Sequence, residues 1–105
     1  MTRRMHLVQI LLPLKDNDGN AFGRELFHEV RNDLAEHFGG VTTYMRAPAA
    51  GLWEDNGEKV TDDVVIFEVM VDQLEREFWR LYRLELQQMF RQDVIIMRSQ
   101  KIDVL

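Results

Sequence analysis

The sequence predicts an α+β fold in which a four-stranded antiparallel sheet carries both of its helices on one face. Two long amphipathic segments each lie between shorter runs rich in apolar or β-branched residues, which gives the order β-α-β-β-α-β. The chain has 105 residues, which is room for one hydrophobic core, and neither a repeat nor a low-complexity linker divides it. We therefore expect a single domain that spans residues 1–105.

The first part of the chain contains one strand and one helix. The apolar run at residues 6–14 ends at a polar turn cluster and predicts a buried strand. Apolar residues then recur at spacings of three to five over residues 21–38, which predicts an amphipathic helix. We expect Asn20 to cap this helix at its N-terminus and the pair Gly39-Gly40 to end it in a left-handed conformation.

Two further strands and a hairpin follow. Residues 41–47 are rich in β-branched side chains and predict the second strand, and residues 64–71 predict the third. The Asn-Gly pair at residues 56–57 predicts a two-residue hairpin turn between them, with Glu54 opposite Lys59.

The last part of the chain repeats the helix and strand. Asp72 and Glu75 form a predicted capping box at the start of a helix over residues 73–92, and residues 94–102 predict the last strand. Right-handed crossovers place the four main strands in the order 4-1-3-2, with the first and third in the centre. This arrangement is the ferredoxin-like plan.

Short aromatic and glycine motifs in the middle of the chain resemble those of small bacterial proteins of unknown function. The shared pattern is Phe-x-Gly-x-Thr, then Gly-x-Trp, a turn and an apolar strand, carried here by Phe38, Gly40, Thr42, Gly51, Trp53 and Gly57. The overall plan also resembles the dimeric α+β barrel group, which includes cofactor-free monooxygenases, isomerases and haem-degrading enzymes. The resemblance supplies no catalytic residue, because none of the site motifs of those families occurs in this sequence.

Composition argues against several kinds of partner and site. The formal net charge of −5 argues against a nucleic-acid partner, because phosphate contacts need clustered lysines and arginines. The chain has no cysteine and no pair of histidines at ligand spacing, so we expect neither a metal nor any other cofactor. Gln9 and Pro13 interrupt the apolar N-terminal run, so we expect no signal peptide, no membrane association and a cytoplasmic location.

Strand alternation places polar side chains in apolar surroundings. The sheet face that points away from the helices is also mostly apolar, which predicts that something covers it. Gln9 and Glu68 lie mid-strand on that face, and Arg98 joins them from the last strand if its register allows. This row either pairs across a dimer interface, or binds a polar ligand, or places a carboxylate as a general base. The register of the second strand leaves open whether Tyr44 or Arg46 belongs to it.

The same face carries an apolar patch. Its predicted members are Leu7, Leu11, Val64, Ile66 and Met70. A patch of several hundred Å² is about the largest that a monomer usually leaves exposed. We therefore expect at least a homodimer joined through this face. If the chain is monomeric, the hairpin at residues 51–60 must fold over the patch instead.

Three other side chains are candidates for contacts with a ligand. His37 and Glu85 fall within the apolar arcs of the two predicted helices, so each is either a structural residue at the flank or part of a site. Trp53, predicted opposite Val60 on the hairpin, either caps a ligand pocket, clasps a partner subunit or forms a small local cluster.

Two functions from different classes follow from these features. The first is an assembly, regulatory or ligand-binding module whose open sheet face serves self-association. The alternative is a small cofactor-free enzyme, a monooxygenase or isomerase of the α+β barrel type, acting on a small apolar metabolite in a cleft between helix and sheet. The first predicts an interior without a pocket. The second predicts a cavity of about 300 Å³ or more lined by residues such as Glu85 or His37.

Overall fold

The computed structural model describes residues 2–46, 54–55, 58–59 and 64–105. The elements in these ranges, in chain order, are β1 (Arg3–Pro13), α1 (Arg24–Phe38), β2 (Thr42–Arg46), β3 (Glu54–Asp55), β4 (Glu58–Lys59), β5 (Val64–Val71), α2 (Arg76–Met89) and β6 (Ile96–Val104).

The strand order confirms the predicted topology. The main sheet has the order β2-β5-β1-β6, and every neighbouring pair in it is antiparallel. When the two short strands β3 and β4 are set aside, this is the order 4-1-3-2 expected for the ferredoxin-like plan. The predicted pairing of Glu54 with Lys59 is also confirmed, whereas Trp53 and Val60 lie outside the described residues.

The core lies between the helices and one face of the sheet. Because side chains alternate along a strand, every second residue of β1 and β5 points to this face. The buried members from the two strands are Val8, Ile10, Leu12, Val65, Phe67, Val69 and Val71. The helical layer and its connections close the core with Val30, Leu34, Trp79, Tyr82, Leu86, Phe90 and Ile95. Both helices therefore cover the same face of the sheet, as predicted, and we call the opposite face the outer face.

The start of α1 differs from the prediction. The helix begins at Arg24 with Gly23 as its N-cap, and not after Asn20. The Asp16 carboxylate accepts the backbone N–H groups of Asn20 and Asp18, both at 2.9 Å, and the Asn20 carbonyl accepts the Asp16 N–H. Asn20 is therefore held in a turn that returns the chain to the sheet. The hydrogen bond from the Asn20 backbone is also the main reason that the pKa of Asp16 is lowered.

The predicted capping box of α2 is wrong. The helix begins at Arg76 with Glu75 as its N-cap, and no side chain caps it. The Asp72 carboxylate instead forms an ion pair with Arg3 at 2.7 Å. This pair links the start of β1 to the end of β5. The residues next to Asp72 in the sequence do not reveal that its carboxylate has a competing partner 69 residues away.

Two glycines, Gly39 and Gly40, follow the last residue of α1. Gly39 has φ of +80°, the left-handed region that favours glycine, and its N–H bonds to the carbonyl of Ala35. Gly40 follows without a positive φ, and a Cβ at either position meets nothing within 4 Å. The two glycines therefore differ in backbone conformation and not in available space.

We expect Gly39→Ala to lower the free energy of unfolding by about 1 kcal/mol, because alanine is strained at positive φ. The matched variant Gly40→Ala should be neutral or slightly stabilising, because alanine restricts the unfolded chain. Urea unfolding of both variants measures the difference. Equal effects at the two positions would contradict the role given to Gly39.

Candidate functional site

Four polar side chains meet on the outer face of the sheet. The β1 register places Gln9 directly opposite Glu68 of β5 on one side and Arg98 of β6 on the other. Residues directly opposite each other point to the same face, so the three form one line across three strands. Tyr44 reaches the same line from β2, where it lies opposite Ile66. We call these four residues the polar row.

Hydrogen bonds connect the whole polar row. Arg98 donates from Nε to Oε1 of Gln9 at 2.7 Å, and the Gln9 amide nitrogen donates to Oε1 of Glu68. The Tyr44 hydroxyl donates to the same carboxylate oxygen at 2.6 Å and accepts from the Gln9 amide nitrogen at 3.1 Å. The predicted grouping of Gln9, Glu68 and Arg98 is therefore confirmed in position, and Tyr44 is found to join it.

The polar row leaves donors and acceptors unused on both sides of Gln9. In the described ranges the second carboxylate oxygen of Glu68 and the terminal guanidinium nitrogens of Arg98 make no hydrogen bond to protein. A ligand or a second protein surface can therefore meet an acceptor on one side and a charged donor on the other. The Gln9 amide between them keeps the two charges apart and fixed in orientation.

The electrostatics of the row are visible at Tyr44. Its hydrogen bond to the Glu68 carboxylate raises the pKa of the Tyr44 hydroxyl, because the bond stabilises the protonated phenol. Partial desolvation and the negative charge of Glu68 act in the same direction, while the hydrogen bond from Gln9 opposes them. The hydroxyl therefore remains a donor throughout the neutral pH range.

The surroundings of the polar row are apolar but unevenly exposed. Met70 is 54% exposed and Ile96 is 55% exposed, whereas Leu7 and Leu11 are half-buried. The expectation that Ile66 lies open in the patch is wrong, because it is only 1% exposed although it belongs to the outer face. Ile66 is flanked in the paired strands by Leu11 and Tyr44, which are both large.

A separate cleft of about 410 Å³ lies between the two helices, and we call it the helix cleft. Its lining residues are Asp33, Leu34, Glu36, His37, Phe78, Tyr82 and Glu85. His37 stacks on Phe78 with ring centroids 4.4 Å apart. The structure thus brings His37 and Glu85 to one cleft, but both are exposed at its rim and not buried in apolar arcs.

Tyr82 is the unusual residue of the helix cleft. It is 7% exposed, and its buried hydroxyl has no hydrogen-bond partner in the described part of the chain. Burial raises the pKa of this hydroxyl well above its usual range, and the charges of Asp33, Glu85 and Glu29 add to the shift. Helical periodicity does not distinguish Tyr82 from the apolar residues of α2, and the signal for it in the sequence is a tyrosine where phenylalanine would fill the same space.

The described residues bear on two kinds of feature, a metal site and a membrane-spanning helix. Among the described residues, no group of three or more histidine or acidic side chains is arranged to hold a metal ion. No helix in these ranges is long and apolar enough to cross a membrane. Trp53, the remaining candidate for ligand contact, lies outside the described residues.

The two tyrosines allow the polar row to be tested by titration. Because the pKa of Tyr44 is raised on folding, its contribution to stability is full below the pKa of the unfolded chain and is lost as pH rises through the folded value. In a Tyr82→Phe background Tyr44 is the only tyrosine, and Glu68→Gln should lower its pKa. Phenolate absorbance measures the shift. Glu36→Gln is the matched control, and an equal shift in that variant would contradict the bond to Glu68.

Comparison with known proteins identifies a fold and no family. No family model and no curated protein matches the chain. Among solved structures it is similar to a phage SAM lyase in complex with S-methyl-5'-thioadenosine. The TM-score is 0.61 with 15% identity, over 95% of this chain and 88% of that one. At this identity the likeness supports the α+β fold already described, and residue roles do not transfer.

Proposed function

We propose that the protein acts as a homodimer whose two outer faces meet, with the polar row at the centre of the interface as an assembly and ligand-recognition element. The observation that supports this most strongly is the connected row of Arg98, Gln9, Glu68 and Tyr44 within an apolar face. Apolar surface on a sheet face is stabilised by about 25 cal/mol for each Å² that is covered. Its exposed members, such as Met70 and Ile96, gain most from a partner.

The charges in the polar row favour one symmetry. Arg98 and Glu68 lie on either side of Gln9, so a two-fold axis that runs along β1 near Gln9 places each arginine against the partner's glutamate. An axis along the row itself would instead bring two glutamates together. Since like charges in an interface are unfavourable, we expect the first arrangement. The unused guanidinium nitrogens and carboxylate oxygen then find partners in the second subunit.

A second candidate function, a small cofactor-free enzyme, is favoured by the helix cleft. Its volume of about 410 Å³ exceeds the 300 Å³ expected of an enzyme of this kind, although it lies between two helices and not between helix and sheet. His37 lies at the rim of this cleft, and the buried Tyr82 hydroxyl has no hydrogen-bond partner in the described residues. The phage SAM lyase shows that a similar fold is compatible with enzymatic function, and its bound S-methyl-5'-thioadenosine is a reasonable first probe.

The proposed symmetry can be tested by mixing two charge variants. We expect the wild type to scatter light with about twice the 12.5 kDa mass of the chain. Glu68→Arg and Arg98→Glu should each be mainly monomeric, because each homodimer brings like charges together. An equimolar mixture should dimerise again, since each arginine then meets a glutamate of the other variant.

Only pairing between subunits predicts this recovery, because changes within one chain are not repaired by mixing. Glu29→Arg, a charge reversal on an exposed position of α1, is the matched control and should remain dimeric. A monomeric wild type, or charge variants as dimeric as the wild type, would exclude the proposed interface. Circular dichroism confirms that each variant is folded.

Replacement of tyrosine by phenylalanine should change the free energy of unfolding in opposite directions at Tyr82 and at Tyr44. Tyr82→Phe should raise the free energy of unfolding by about 1 kcal/mol, because it removes a buried hydroxyl without a partner. Tyr44→Phe should lower it, because a hydrogen bond to Glu68 is lost. S-methyl-5'-thioadenosine should shift the NMR signals of His37, and less strongly in Tyr82→Phe. A destabilised Tyr82→Phe, or shifts confined to other surfaces, would refute this use of the cleft.

A further inference from the structure

A cleft lined by arginines runs between α2 and the edge strand β6, on the helix side of the sheet. Its volume is about 370 Å³, and we call it the arginine cleft. Its lining residues are Val8, Leu74, Arg76, Trp79, Arg80, Arg83, Met97, Arg98 and Ser99. Three of these, Arg76, Arg80 and Arg83, are arginines of α2, and none of the lining residues is acidic, in a chain whose net charge is −5. Arg98 borders the cleft from β6, but its side chain belongs to the polar row on the outer face. Positive charge is therefore concentrated at this cleft, although the net charge of the chain is negative.

The arginines come mainly from one face of α2. Arg76, Arg80 and Arg83 follow at spacings of four and three, which places them side by side on a helix. Glu77 binds Arg80 with two hydrogen bonds, at 2.6 and 3.0 Å, and so neutralises one of the three. Arg76 and Arg83 form no ion pair with any residue in the described ranges. Neighbouring like charges destabilise a helix, and a bound anion removes that repulsion.

The other walls of the arginine cleft are mostly apolar. Trp79 and Val8 are core residues at its base, and Leu74 and Met97 are partly buried beside them. The Ser99 position adds a hydroxyl from β6. Arg76 is the first residue of α2, whose first N–H groups have no side-chain cap and favour negative charge, and Leu74 lies two residues before it. An inorganic anion would pair with the arginines but would make no contact with the apolar walls.

We propose that the arginine cleft binds a small phosphate monoester with a flat apolar body. Guanidinium groups bind phosphate through paired hydrogen bonds. A phosphate monoester carries nearly two negative charges, so it can pair with more than one arginine. The apolar body lies against Trp79 and Met97. The three arginines of α2 lie on the opposite side of the sheet from the polar row, so binding through them does not depend on the proposed dimer.

The test compares three probes that separate the charge from the apolar body. These are 2-naphthyl phosphate, 2-naphthol and inorganic phosphate, each titrated against the ¹⁵N-labelled protein. We expect 2-naphthyl phosphate to shift the Trp79 indole signal and the first turns of α2 saturably. The Trp53→Phe variant assigns the indole signal, because the chain has two tryptophans. The other two probes should bind at least about tenfold more weakly, since each lacks one half of the recognised chemistry.

The matched variants separate a site from general charge attraction. Arg76→Gln combined with Arg83→Gln should weaken 2-naphthyl phosphate about tenfold or more, because charge-assisted hydrogen bonds are lost. Arg31→Gln removes one exposed charge from α1 and should leave binding unchanged. If the double variant unfolds, Arg83→Gln alone should weaken binding several-fold.

Four results would overturn the proposal. The first is the absence of a saturable shift, and the second is a set of shifts confined to other surfaces. The third is equal weakening by Arg31→Gln, which would indicate charge attraction without a site. The fourth is equally strong binding of 2-naphthol or of inorganic phosphate, which would indicate an apolar groove or a simple ion site.

Discussion

The pairing of β1 with a strand on each of its edges is the constraint on which the rest of the structure depends. β1 is antiparallel to β5 on one side and to β6 on the other, and Gln9 is opposite a charged residue in both. Because successive side chains point to opposite faces, Val8 and Ile10 lie in the core for the same reason that Gln9 lies outside it. A slip of one residue would expose the core and break the polar row together.

Helix α2 converts this sheet into a protein with distinct surfaces. Its buried side packs Trp79, Tyr82 and Leu86 into the core, and its two flanks border clefts of opposite character. Towards α1 the cleft combines aromatic rings with acidic groups, whereas towards β6 it combines apolar walls with arginines. Both clefts lie on the helix side of the sheet. The dimer that we propose would cover only the outer face and would leave both clefts accessible.

The polar groups of this protein differ in how completely their hydrogen bonds are satisfied. Tyr44 is partly exposed and fully engaged with Glu68 and Gln9, while Tyr82 is buried and has no partner in the described ranges. Burying an unpaired hydroxyl is costly in a core that otherwise contains only apolar side chains among its described members. An unsatisfied buried group in a folded protein needs an explanation, which is why Tyr82 and not its neighbours directs attention to the helix cleft.

The sequence by itself determined the features that depend on near neighbours in the chain. Sequence patterns placed both helices and all four main strands, and β5 was predicted with its observed bounds, because a short apolar run rich in β-branched residues favours a buried strand. Alternation also placed Gln9 and Glu68 on one face. Only the tertiary structure decided the register that adds Arg98 and Tyr44 to them, the ion pair that takes Asp72 away from its helix, and the turn that holds Asn20. These depend on groups that lie far apart in the chain or on competing local bonds, and their relative free energies are set only when the strands are assembled.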